Sequence, residues 1–149
     1  MIQRKQTLFL LASILLILFV LFVPFIKTEY VIFDSFKIEQ LGIENPLSVN
    51  SFPIAIYVII VVFLHLLTIF LFKKRTLQMR FTIFSLILSV GFYGLLLFYH
   101  FQSKEQFGLD FSFYNYSLVT PLIAAVFDFW AFKGIQKDEL LVRASDRLR

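Results

Sequence analysis

The sequence predicts an all-α membrane protein of four transmembrane helices, and three observations carry that prediction. The first is composition: 59% of the 149 residues are hydrophobic and only 16% are charged, against about 45–50% and about 25% for a soluble domain. The second is that the apolar residues lie in four long, nearly uncharged runs. The third is that Lys and Arg collect in the segments on one side of those runs. A disordered chain, which needs low hydrophobicity and high charge, is excluded. With no cysteine in the chain, disulfides, thiolate metal sites and thioester lipid anchors are excluded as well.

A helix crosses the roughly 30 Å hydrocarbon core with about 20 residues at about 1.5 Å each. Leu8–Ile26 is the first span and carries no charge in its apolar run. Its basic start, Arg4 and Lys5, resembles a signal peptide, but Phe22–Tyr30 is bulky and has no small-residue cleavage pattern. It is read as an uncleaved helix. Ile54–Phe72 is the second span, with His65 its one polar ring; Phe81–Tyr99 is the third; Ser117–Phe132 is the fourth, shorter and containing Asp128. Helices are the form that satisfies every backbone donor within the segment. The runs also lack the period-two alternation of a barrel strand. The whole chain, 1–149, is one transmembrane domain.

Orientation follows from the basic residues. Arg4, Lys5, Lys73, Lys74, Arg75, Arg80, Lys133, Lys137, Arg143, Arg147 and Arg149 fall on one side, 11 in all. Lys27, Lys37 and Lys104 fall on the other. Both termini are therefore expected in the cytoplasm, with loops 27–53 and 100–116 facing outward and a cytoplasmic tail at 133–149. The outer loops have strand character. Tyr30–Phe33 and Phe36–Leu41 flank a turn at Asp34-Ser35, and Phe107, Leu109, Phe111 and Phe113 alternate with Gly108, Asp110 and Ser112. A small β cap built from the two loops is expected over the outer helix ends. Asn45-Pro46 and Phe52-Pro53 read as turns leading into the second span.

Polar residues inside a span are the candidate functional residues, because an intramembrane carboxylate is expensive and faces the bundle interior. Counting along the second and fourth spans puts His65 and Asp128 at one depth, about 5 Å to the cytoplasmic side of the midplane. Ser13 and Ser89 fall in the same half, with Thr68 and Ser85 somewhat lower. These residues are expected to form an intramembrane polar cluster that fixes helix packing, with Lys133 as a second reach for Asp128. The competing reading is a proton or cation pathway. On the third span Ser85, Ser89, Gly91 and Gly94 form a small-residue pattern suited to close helix approach.

In the tail, Ile135, Leu141, Val142 and Leu148 share a helical face, which predicts an interfacial helix or a docking peptide. Arg4, Lys5, Arg143, Asp146, Arg147 and Arg149 are the expected cytoplasmic contacts for a partner or for lipid. His100 reads as an interfacial residue. No metal site is expected from two isolated histidines without cysteine. No phosphate-loop, dinucleotide, zinc-hydrolase or nucleophile-elbow motif occurs. No cofactor, catalytic residue or nucleic-acid partner is expected.

The start Met1-Ile2-Gln3-Arg4-Lys5-Gln6-Thr7 and the end Gly134-Ile135-Gln136-Lys137-Asp138-Glu139-Leu140-Leu141-Val142-Arg143-Ala144-Ser145-Asp146-Arg147-Leu148-Arg149 resemble a family of four-span membrane proteins of similar length. That family is found in Bacteroidota and is known as a domain of unknown function. The resemblance covers the whole chain. It implies an inner-membrane location with two cytoplasmic termini, and it implies no activity, cofactor or catalytic residue. The functional expectation is a non-enzymatic accessory or scaffold subunit bound to another inner-membrane protein or complex. The alternative is a small proton- or ion-coupled carrier using Asp128 and His65.

Overall fold

A computed structural model describes residues 3–27, 31–40, 42, 48–107 and 116–146. Four helices dominate: α1 (Gln3–Phe22), α2 (Phe52–Phe70), α3 (Arg75–Phe107) and α4 (Thr120–Asp146). Between α1 and α2 lie four short strands, β1 (Ile26–Lys27), β2 (Val31–Phe33), β3 (Lys37–Gln40) and β4 (Ser48–Asn50). Single 3-10 turns at Leu71–Lys73 and Tyr116–Leu118 precede α3 and α4.

The helices pack in a ring in chain order, α1 on α2, α2 on α3, α3 on α4 and α4 back on α1. α1 and α4 are antiparallel. Gln6 meets Asp138 near one end, Ser13 meets Ala124 midway, and Pro24 meets Ser117 near the other. The bundle thus has a basic end, where α1 begins, and a sheet end. Among the described residues three helices are long and apolar enough to cross a membrane, over Lys5–Phe22, Phe52–Lys73 and Arg75–Glu105.

The sheet is an antiparallel meander in the order β1-β2-β3-β4. Its register sets Phe33 opposite Ile38 and Ile38 opposite Val49. With a side-chain period of two, these three residues share one face, and all three are buried. They rest on Phe25, Ile54 and Phe92, continuous with the helical core at Ile17, Val20, Val58 and Leu96. The Phe25 ring packs edge-on against Phe33, with centroids 5.3 Å apart. The other face carries Lys37, Glu39, Ser48 and Asn50 together with Ile32. Lys37 and Glu39 pair there at 2.7 Å. The hydrogen bond and the charge of Glu39 hold the Lys37 ammonium above its ordinary pKa, and at so exposed a site the pair adds little stability.

The Asp34-Ser35 turn forms as expected. Asp34 Oδ1 accepts from the backbone N–H of Phe36 and of Lys37, both at 2.8 Å; an aspartate closes such a turn because its carboxylate reaches the amides two and three residues on. Ser35 Oγ donates to the Val20 carbonyl at 2.9 Å, which ties the turn to the last orphan carbonyls of α1. Phe52-Pro53 is not a separate turn; it opens α2, where proline lacks only a donor that the first turn leaves unused. Asn45-Pro46 lies outside the described residues.

Two further expectations change. Phe107 ends α3 rather than beginning a strand; Leu109, Phe111 and Phe113 lie outside the described residues, so the described sheet comes from the first loop alone. The segments expected as a fourth span and a separate tail are one helix through Asp146, with no break at Phe132–Lys133. Charge does not end a helix, Gly134 is tolerated within one, and Glu139–Arg143 is a supporting i,i+4 pair at 2.9 Å. α3 likewise runs past both ends of the expected 81–99.

Candidate functional site: a buried histidine–aspartate–serine triad

His65 of α2, Asp128 of α4 and Ser13 of α1 meet inside the bundle, each with no exposed surface. His65 Nε2 lies 2.9 Å and 3.1 Å from the two Asp128 oxygens and 3.0 Å from Ser13 Oγ. On the far side of the ring, Nδ1 donates to the Val61 carbonyl at 2.8 Å, one turn back along α2. Ser13 Oγ donates to the Ala124 carbonyl at 3.3 Å, one turn back from Asp128.

These contacts fix the proton count. A backbone carbonyl only accepts, so Nδ1 carries a hydrogen. Nε2 and a bare carboxylate would then set lone pair against lone pair at 2.9 Å. One proton must therefore lie between Nε2 and Asp128, on the ring or on the carboxyl, and the pair is neutral as a whole in either form. That matters energetically, because an uncompensated charge in such surroundings is costly while a paired one is tolerated. α2 and α4 stand diagonally across the ring, so this pair spans the bundle rather than joining neighbours.

Of the four residues expected in the polar cluster, the structure brings Asp128, His65 and Ser13 together and leaves Ser89 apart. Ser89 is buried, but its hydroxyl donates to the Ser85 carbonyl at 3.0 Å within α3. It lines a cavity of about 10 Å³ with Ile17, Val20, Tyr57, Val58, Val61, Phe92 and Pro121, room for about one water. The proposed reach of Asp128 toward Lys133 does not occur, because Asp128 turns inward and the Lys133 ammonium lies 4.7 Å from the Phe129 ring centroid. Thr68, Thr82 and Ser85 are buried and satisfy themselves on carbonyls of their own helices.

The small-residue pattern divides. Ser85 and Ser89 face the interior. Gly91 is close to α2: an added Cβ would sit 3.1 Å from Tyr57 Oη, whose hydroxyl donates to the Leu88 carbonyl at 2.8 Å. Gly94 faces open space, with nothing within 4 Å of an added Cβ. It brings no helix closer.

Among the expected cytoplasmic contacts, Lys5 is exposed and Arg143 is exposed and paired with Glu139. Arg4 and Asp146 are described in backbone only, and Arg147 and Arg149 lie outside the described residues. Of the shared tail face, Ile135 is buried while Leu141 and Val142 are exposed; Leu148 lies outside the described residues. His100 is partly buried beside the Phe101 ring.

One junction escaped the sequence reading. Gln6 Nε2 donates to Asp138 Oδ2 at 2.6 Å, and Arg75 Nη1 donates to the Asp138 carbonyl at 3.1 Å. The starts of α1 and α3 are thereby tied to one point on α4. Gly134 makes this possible: a Cβ there would lie 2.9 Å from Gln6 Cγ. The signal available was weak, a glutamine and an aspartate at the edges of two apolar runs 132 residues apart.

No curated protein and no solved structure matches the chain. The family model described as a domain of unknown function, DUF4293, matches residues 2–148. With the match running over nearly its whole length, the chain belongs to the DUF4293 family.

Proposed function

We propose that this chain is a non-enzymatic, integral inner-membrane accessory or scaffold subunit that binds another membrane protein or complex. It crosses the bacterial cytoplasmic membrane four times, with both termini cytoplasmic and the β-meander capping the outer end. The 11:3 distribution of basic residues supports that orientation. The antiparallel register of α4 on α1 supports the fourth span, since it lays Ala124–Trp130 alongside the apolar turns Phe9–Ser13.

One observation carries the scaffold reading. The polar groups at the centre of the bundle are spent on one another, and the apolar cavity lined by Val61 and Ser89 measures only about 10 Å³. The triad therefore acts as a lock on three helices. The surface left for interaction is the exterior, rich in large apolar side chains such as Leu15, Phe22, Phe63, Phe84 and Phe98. In lipid, association rests on packing and interhelical hydrogen bonds, which a rigid bundle presents at low entropic cost.

The test is affinity purification of the tagged protein from its native membrane in gentle detergent, followed by mass spectrometry. The reading predicts a stoichiometric membrane partner whose recovery falls in an Arg143→Ala, Arg147→Ala variant that still inserts. Recovery of the protein alone would refute it.

A second reading, a small proton- or ion-coupled carrier, is favoured by the proton held between His65 and Asp128. It predicts a pH-dependent flux in vesicles that Asp128→Asn abolishes at equal insertion. An unchanged flux in that variant, or none in either protein, would eliminate it.

A further inference from the structure

We propose that Trp130, Lys133 and Lys137, on the outward face of α4, bind the phosphate of an anionic phospholipid headgroup. Their spacing of three and four residues sets them in one row along the helix. All three are exposed. Trp130 is held in place by edge-on contacts with Phe9 and Phe127, at centroid distances of 5.8 and 5.7 Å.

The α1–α4 register gives the depth of this row. Trp130 packs beside Phe9, in the first apolar turn of α1, and Gly134 and Asp138 lie beside Gln6. Lys133 therefore sits where the apolar run of α1 gives way to Lys5 and Gln6, the level of the headgroups. Its ammonium lies over the Phe129 ring, 4.7 Å from the centroid, a cation–π contact that holds the charge against the face of α4.

The charge balance at this end selects an anion. Lys5, Lys73, Lys74, Arg80, Lys133 and Lys137 are exposed. The two neighbouring acids are occupied: Asp138 by Gln6, Glu139 by Arg143. Among the described residues neither Lys133 nor Lys137 is paired with a carboxylate. A phosphodiester accepts charge-assisted hydrogen bonds from two ammonium groups one turn apart. The indole beside them suits the boundary between acyl chain and headgroup.

This inference rests on the proposed membrane insertion and is independent of the scaffold role. The test uses the full chain reconstituted in phosphatidylcholine vesicles containing a minority of phosphatidylglycerol. Vesicle flotation reports insertion, and native mass spectrometry after gentle detergent release counts the lipids that stay bound. Wild type should float and retain phosphatidylglycerol well above its bulk share. Lys133→Gln with Lys137→Gln should float equally and lose affinity for phosphatidylglycerol by about thirtyfold, the scale set by two surface lysines. Lys133→Arg with Lys137→Arg, and Lys37→Gln at the sheet end, should keep it. Bulk-ratio lipid on wild type, or undiminished enrichment on the glutamine variant, would overturn the site. A chain that fails to float would overturn the insertion beneath it.

Discussion

The two halves of the bundle core are built on different principles. Toward the sheet end the interior is Ile17, Val20, Phe25, Ile54, Val58, Phe92 and Leu96, sealed by Phe33, Ile38 and Val49 of the meander. Toward the basic end buried Leu10, Ile14, Ala131 and Ile135 are joined by Ser13, His65, Asp128, Thr68, Thr82 and Ser85, closed by Gln6, Asp138 and Arg75. Apolar side chains in a bilayer do not discriminate strongly between a neighbouring helix and a lipid tail. The sheet-end half therefore fills volume, while the polar half says which helices meet and in what register. Substitutions in the two halves should fail in different ways.

The largest effect is expected at Asp128. Asp128→Ala removes the carboxyl partner of His65 and leaves Ser13 as the side chain facing Nε2 in a closed site. By analogy with buried pairs broken on one side, the loss should be about 3–5 kcal/mol in a denaturant titration of the detergent-solubilised protein. Phe92→Ala in the apolar half removes a ring packed on Phe25, Tyr57 and Tyr93 and should cost about 3 kcal/mol. The comparison sharpens in the ensemble: Phe92→Ala should keep one sharp set of amide resonances, and Asp128→Ala should broaden them as helix register loosens. If both variants stay equally well ordered, the division of labour is wrong.

Gly134→Ala tests the junction at the basic end. The new methyl displaces Gln6 and weakens its bond to Asp138, for an expected loss of about 1–2 kcal/mol by the same titration. Gly94→Ala has the opposite sign. With open space around it, the substitution should stabilise α3 by about 0.5–1 kcal/mol through helix propensity alone. A loss there would mean that Gly94 does make a close contact.

The helical runs and the triad were legible because both follow from linear counting. Rise per residue gives depth, and depth put His65 and Asp128 at one level, with Ser13 and Ser89 placed only in the same half. Azimuth is what counting along single spans did not supply. Ser89 shares the half-bundle yet belongs to α3's own ladder, and Gly94 sits in a small-residue pattern but on the outer face. The Asp34 turn was readable because its chemistry is local. The continuous α4 was not, because charges at 133–143 mark the boundary of an apolar run and leave the backbone free to stay helical. The Gln6–Asp138 junction joins residues 132 apart, and no local pattern announces such a contact.

The central claim is that His65 and Asp128 act as one unit spanning the bundle. A double-mutant cycle with His65→Ala and Asp128→Ala, read by unfolding in detergent, tests it most directly. The account predicts that the double variant loses less than the sum of the singles by about 2 kcal/mol or more, because His65→Ala leaves a buried carboxyl without its ring and Asp128→Ala strips Nε2 of its carboxyl. Losses that add to within about 0.5 kcal/mol would mean the two residues are independent, and the lock across α2 and α4 would have to be abandoned.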